Sequence, residues 1–299
     1  MMTTGSTPAL STRSNATGIL AMLAAMAAFV ANDTCVKLIG KTLPLGELIA
    51  LRNLVSTIYI LAFAALFGGM TLPVKPPAKL LGWRMAAELF STLFFLSGLV
   101  ALPIADATAI GQFTPLAITA AAALFFKERI GWRRWLAAIL GLVGVMLIIR
   151  PGTAAFSPAA LFILASVAFI VVRDLTTRAI SIEVPTLTLI AMSAFVSIFA
   201  GIMLLPFETW IVPTSAQNVL LLLAALFLTI AYTLIVISMR SGDVGVVSPF
   251  RYAVIVFAIF SGWAVWGDFP DQIQLIGIAL LTAAGIYTFH RERRAHALR

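Results

Sequence analysis

The chain has 299 residues, 61% of them hydrophobic and 11% charged, with a net charge of +8 and a mean hydropathy of +1.05. A soluble domain carries roughly 25% charged residues, and no soluble fold of this length buries so much apolar surface, so most of it must face lipid or other helices. The single cysteine, Cys35, excludes a disulfide framework, and the only histidines, His290 and His296, lie too near the C-terminus to form a metal cluster within the apolar chain.

From the N-terminus, residues 1–16 are rich in Ser, Thr and Ala with one charge, Arg13, and read as a disordered cytoplasmic tail without a cleavable signal. Ten apolar windows follow, each near the length of about 20 residues that crosses the hydrocarbon core. They fall at 17–39, 45–68, 81–102, 104–126, 132–149, 158–178, 184–206, 217–239, 244–266 and 272–290. Short punctuators such as Leu43-Pro44, Lys75-Pro76-Pro77, Arg150-Pro151-Gly152 and Phe269-Pro270 separate them, leaving no room for an inserted soluble domain. Residues 291–299 form a basic cytoplasmic tail. A membrane barrel would show ten-residue alternating segments instead, so the fold class is all-α integral membrane.

The basic residues settle the expected orientation. With the N-terminus inside, fourteen Lys and Arg residues fall on the cytoplasmic side and only Lys37, Lys41 and Arg150 outside. That bias predicts both termini in the cytoplasm. Because the charge sits in gaps between spans, a pI near 10.3 reports topology rather than nucleic-acid binding. Trp83, Trp132, Trp135, Trp210, Trp263 and Trp266 all lie near span ends, as an aromatic belt requires.

An internal repeat emerges on shifting the chain by 141 residues. Asp33 then falls on Asp174 and Lys37 on Arg178, while Pro44, Leu48-Ile49-Ala50 and Val55-Ser56 fall on Pro185, Leu189-Ile190-Ala191 and Val196-Ser197. The same shift sets Gly144-Val145 on Gly285-Ile286, and a shift of 137 pairs Asp106 with Asp243 and Phe113 with Phe250. The predicted halves are therefore 17–149 and 158–290. Five helices is an odd number, so the halves insert with opposite orientation, as inverted-repeat secondary transporters do.

Thr114-Pro115 and the following Ala- and Leu-rich stretch to Lys127-Glu128-Arg129-Ile130 resemble the proline-to-acidic signature of EamA-type carriers in the drug/metabolite transporter superfamily. Ser248-Pro249-Phe250-Arg251-Tyr252 through Trp266-Gly267-Asp268-Phe269-Pro270 looks like the second copy, with Asp268 where Glu is usual. The resemblance covers essentially the whole chain. It implies a secondary transporter of small organic solutes in the bacterial inner membrane, working by alternating access, and a monomer is expected with an oligomer as the alternative. Within the superfamily the chain resembles the YddG branch, which implies amino-acid export; a multidrug or other metabolite carrier is the alternative.

Polar residues inside spans are costly and mark candidate sites, since a central Arg, Lys or Asp costs about 2.5–3.5 kcal/mol on insertion. The substrate-binding or gating candidates are Asn32, Asp33, Arg52, Glu88, Gln112, Thr114, Tyr232, Arg251 and Tyr252. Asp33 and Arg52, one to two turns from the outer surface, read as a structural ion pair marking an outer gate. Glu88 and Arg251 have no charged counterpart in the other half, the 137 shift setting them against Ala225 and Thr114. They are expected to face each other or the cavity, holding a zwitterionic cargo or closing an inner gate. Asp174, beside Arg173, is expected to snorkel to the interface. Glu128 and Asp268 read as loop anchors, and Pro115 and Pro249 as helix breaks. Phe94, Phe95, Phe113 and Tyr232 are candidates for an apolar wall.

An intramembrane enzyme, the reading from a different class, would need a nucleophile–base pair, a metal site or paired catalytic carboxylates. The sequence offers no His or Cys cluster and no Gly-rich phosphate loop, so neither an enzyme nor a cofactor is expected.

Overall fold

Polar and proline-rich gaps divide the apolar chain into helices at nearly the expected places. The computed structural model describes residues 12–68, 78–126, 131–180 and 186–297. In chain order the helices are α1 (Thr12–Ile39), α2 (Leu45–Phe67), α3 (Ala78–Ala101), α4 (Ile104–Gly111), α5 (Thr114–Phe125) and α6 (Trp132–Ile149). They continue with α7 (Ala159–Ala179), α8 (Thr186–Ile202), α9 (Ser215–Ser241), α10 (Val244–Val247), α11 (Ala253–Trp266) and α12 (Gln272–Ala297). Ten helical segments are long and apolar enough to cross a membrane. Glu128 and its basic neighbours lie outside the described residues, as do residues 1–11 of the expected N-terminal tail.

Two tail segments depart from expectation. Residues 12–16 belong to α1 and residues 291–297 to α12, both continuous with the adjoining spans. Neither stretch holds a Gly or Pro, and Arg, Glu and Ala are strong helix formers, so nothing stops the helix at the apolar boundary.

Local signals set the other ends. Thr214 and Gln217 form a capping box at α9, the Thr214 amide donating to Gln217 Oε1 at 2.7 Å. Gly267, at φ 73°, ends α11 in the left-handed region, where a side chain would be strained. Spans four and nine are both discontinuous. The first breaks between α4 and α5 just before Pro115, and the second passes from α10 through a 3-10 turn, Ser248–Tyr252, that carries Pro249 in its first turn. Each proline sits in the first turn of the segment that follows the break, where its missing N–H leaves no helical bond unmade.

The packing is two-fold symmetric in its pattern. The major helix pairs are α1 with α9, α3 with α7, α2 with α8 and α6 with α12. As spans these are one with eight, three with six, two with seven and five with ten. Exchanging every span for the one five places away maps this set onto itself. Five being odd, the fold is two inverted five-helix repeats.

Where α6 and α12 cross on the symmetry axis, backbones meet at glycine. A Cβ on Gly144 would lie 2.7 Å from the Gly277 carbonyl oxygen, and one on Gly277 would lie 2.6 Å from that of Gly144. Small residues permit such approach where lipid supplies no hydrophobic drive between helices. Gly144→Ala gains up to about 1 kcal/mol of helix propensity but forces rigid backbones apart, an overpacking cost of about 1–3 kcal/mol. The variant is expected to melt at lower temperature than wild type in detergent. A raised melting temperature would show that the crossing yields without cost.

Candidate functional site

Between the repeats lies a cavity of about 560 Å³, inside the range of roughly 300–1,000 Å³ that holds drug-sized ligands. Its lining includes Asn32 and Asp33 of α1, Arg52 of α2, Glu88 of α3, Gln112 at the span-four break, Thr114 and Pro115 of α5, Tyr232 of α9 and Arg251 of the 3-10 turn. The lining continues to Arg134 at the start of α6 and Arg178 at the end of α7. At the opposite end Ile39, Leu48, Leu99 and Ile104 are at most 1% exposed and seal the helices together.

The expected ion pair of Asp33 with Arg52 does not form. Asn32 stands between them: its amide nitrogen donates to Asp33 Oδ1 at 2.8 Å, and its Oδ1 accepts from Arg52 Nη1 at 3.4 Å. An amide offers both a donor and an acceptor, so it bridges the two charges directly. Arg52 also donates to Asn53 Oδ1 at 3.3 Å, while its Nε is buried without a partner.

Glu88 and Arg251 do not pair either. The α3–α7 packing brings Arg173 to Glu88, with Nη1 3.5 Å from Oε2, and Ser193 Oγ donates to the same oxygen at 3.0 Å. Arg84 extends this network, donating to Thr177 Oγ1 at 3.0 Å and to Ser193 Oγ at 3.2 Å. Arg251 makes no hydrogen bond or ion pair among the described residues, is exposed to the cavity, and has Asp174 as its leading acidic neighbour.

Asp174 does not snorkel away. It lines the cavity and accepts from Arg173 Nε at 2.8 Å, because that neighbouring guanidinium holds it inward. Arg173, which the sequence marks only as the neighbour of Asp174 in span six, is a cavity residue, and the 141-residue shift sets it on Asn32.

Tyr252 and Pro249 do not line the cavity. Tyr252 is 3% exposed, packs on Gly285 and meets the Phe289 ring edge-on at 6.3 Å. In the tight turn it points away from its neighbour Arg251, and only one of the two can face inward. Of the aromatic candidates, Phe95 and Tyr232 line the cavity, the latter edge-on to Phe29 at 5.4 Å. Phe94 instead stacks on Phe90, Phe162 and Phe169, and Phe113 packs against the core.

The sealed end carries its own polar lock. Lys37, counted on the outer side, is 5% exposed and donates to the carbonyls of Leu99 and Val100 at 3.2 Å and to that of Leu102. The first two are last-turn carbonyls of α3 and the third lies just past its end, where carbonyls need an outside donor. Its ammonium lies 5.6 Å from the Trp266 ring centre, with Lys41 over the same ring at 5.9 Å. Nearby, Arg150 donates to the Asp271 carboxylate; that bond, with the Gln274 and Ile273 amides, holds the Asp271 carboxyl below its usual range.

The EamA-like transporter family matches residues 16–150 and 157–289, copies whose starts lie 141 residues apart. The chain is 26% identical to an S-adenosylmethionine uptake transporter of Rickettsia conorii, covering 93% of this chain and 94% of the relative. It is 30% identical to a riboflavin transporter of Rhizobium johnstonii over 67% of this chain and 66% of that one. It is also 26% identical to a pseudopaline exporter of Pseudomonas aeruginosa, over 90% and 94%. A solved crystal structure shares the fold with a TM-score of 0.62 at 21% identity, covering 93% of this chain and 98% of the other. These names lend no support to the YddG branch. The duplicated match and the two-fold packing agree: the chain belongs to the EamA-like transporter family, a group of small-molecule carriers in the drug/metabolite transporter superfamily.

Proposed function

We propose that this protein is a secondary carrier of a zwitterionic metabolite, one built on an amino-acid head group and of S-adenosylmethionine size, working by alternating access. The bacterial inner membrane is its site of action. The positive-inside bias places both termini in the cytoplasm. With that orientation the cavity, which reaches Arg134 and Arg178, opens inward in the form described here.

The observation that carries the reading is the charge pattern of the cavity. Arg251, a cation without a hydrogen-bond or ion-pair partner among the described residues, shares it with Glu88, Asp174 and Asp33. A guanidinium grips a carboxylate through two parallel hydrogen bonds, and the aspartates suit an ammonium or sulfonium. The start of α5 adds the positive end of a half-helix beside Thr114, a device that orients anionic cargo groups in broken-helix transporters. Phe29, Phe95 and Tyr232 supply flat apolar surface for a ring. A free amino acid would leave much of about 560 Å³ unfilled, whereas S-adenosylmethionine adds an adenosine to the same head group. So many charges count against a general apolar drug as cargo.

Flux into proteoliposomes is the direct test, with S-adenosylmethionine, riboflavin and a panel of free amino acids offered with and without a pH gradient. Saturable S-adenosylmethionine flux is expected. Preferential flux of free amino acids out of the cytoplasmic face would favour amino-acid export instead. Riboflavin flux without any zwitterion flux would overturn the charge argument.

A further inference from the structure

The two repeats carry matching polar sites at opposite ends of the same cavity. The 141-residue shift that aligns the family copies sets Asn32-Asp33 of α1 on Arg173-Asp174 of α7, and Arg52 of α2 on Ser193 of α8. The structure shows the equivalence in detail. In each repeat the residue before the aspartate donates to its Oδ1 at 2.8 Å, from Asn32 Nδ2 in one and Arg173 Nε in the other. Each of these matched sites thus holds one aspartate and one arginine. The arginine comes from the second helix in the first copy and from the same helix as the aspartate in the second.

Both aspartates line the cavity, and neither second carboxylate oxygen has a hydrogen bond among the described residues. Asp33 is only 8% exposed, whereas the Asp174 side chain is 36% exposed. Asp33 lies six residues before the end of α1 and Asp174 five before the end of α7, so each is about 7–9 Å from its own helix end. Those ends lie on opposite faces of the membrane, because spans one and six cross it in opposite directions.

We propose that Asp33 and Asp174 are repeat-equivalent acceptors for the cationic group of the cargo, serving in turn from the two faces. This rests on the carrier reading above. In the present form Asp174 is the accessible acceptor and Asp33 the occluded one. When the halves exchange conformations, two-fold symmetry exchanges these environments. A cation bound through either free oxygen keeps a partner while the other end of the cavity closes, which a single central acid would not provide.

Two measurements test this. S-adenosylmethionine flux is followed in oriented proteoliposomes carrying Asp33→Asn or Asp174→Asn, each checked for an unchanged elution profile and melting temperature. Losing a hydrogen bond to a charged group corresponds to a rise of about tenfold or more in half-saturation. That rise is expected for cargo presented to the cytoplasmic face in Asp174→Asn and to the outer face in Asp33→Asn, with Asp→Glu variants largely restored. The second measurement needs no cargo. Asp33→Cys and Asp174→Cys, in a Cys35→Ser background, are labelled with a membrane-impermeant maleimide from either face. Asp174→Cys is expected to react several-fold faster from inside and Asp33→Cys several-fold faster from outside. The same preferred face for both cysteines, or half-saturation shifts without side preference in a protein that carries S-adenosylmethionine, would overturn the inference alone. Absence of S-adenosylmethionine flux in wild type would remove the cargo reading and the cation-acceptor role with it.

Discussion

Arg251→Gln is expected to lower cargo flux about a hundredfold or more while leaving the detergent melting temperature close to that of wild type. A hydrogen bond to a charged group contributes about 1.5–3 kcal/mol, and a guanidinium that holds a carboxylate by two of them sits at the upper end, where about 2.8 kcal/mol corresponds to a factor of a hundred. Stability should barely change, because Arg251 ties no helix to another: no described residue hydrogen-bonds or ion-pairs with it, and the side chain is exposed to the cavity. Arg251→Lys keeps the charge but loses the fork, so partial recovery of flux is expected. Side-by-side flux and melting curves decide the matter. Wild-type flux in Arg251→Gln would remove the residue from cargo binding, and a collapsed melting temperature would make it a structural charge instead.

Much of this architecture was legible because its signals are one-dimensional. Span length, the prolines at 44, 103 and 270, and the recurrence of Asp33 as Asp174 depend only on spacing along the chain. Depth in the membrane follows too, since residues count off at a fixed rise. What the sequence did not reveal is the direction each side chain takes around its helix. In water an apolar stripe reports that direction, but these helices are apolar on nearly every face, so the stripe is absent. Tyr252 and Arg251 illustrate the loss: they share a depth, yet one packs on Gly285 and the other reaches the cavity. The burial of Lys37 is hidden for a related reason. Its position near a span end gives its side of the membrane, but the carbonyls it caps, at the end of α3 and just past it, are more than 60 residues away in sequence. Arg173 is visible in the sequence as an in-span charge set on Asn32 by the repeat, but its partner Glu88 comes from another helix, 85 residues away, and no spacing reports that.

Glu88 is expected to behave differently from Arg251, and the contrast separates cargo binding from structural support. Its carboxylate is 6% exposed and receives Ser193 at 3.0 Å and Arg173 at 3.5 Å, joining α3, α7 and α8. Arg84 lies in the same network with Nη1 already buried and unpartnered. Glu88→Gln would leave two guanidinium groups in a low-dielectric interior with one fewer negative charge to balance them. Breaking a buried pair from one side costs about 3–5 kcal/mol; the partial exposure of Arg173 brings this case below that range, to about 2–3 kcal/mol. The melting temperature in detergent should fall by several degrees, and flux should fall with it. Removing the unbalanced cation as well, in Glu88→Gln/Arg173→Gln, should return much of the lost stability, since a buried pair replaced on both sides is often nearly neutral. Flux should stay low in that double variant, because Asp174 would lose the guanidinium that holds it toward the cavity. A single variant as stable as wild type would show that the α3–α7 contact does not depend on this charge. A double variant no more stable than Glu88→Gln alone would place the loss in the Ser193 hydrogen bond instead of the ion pair.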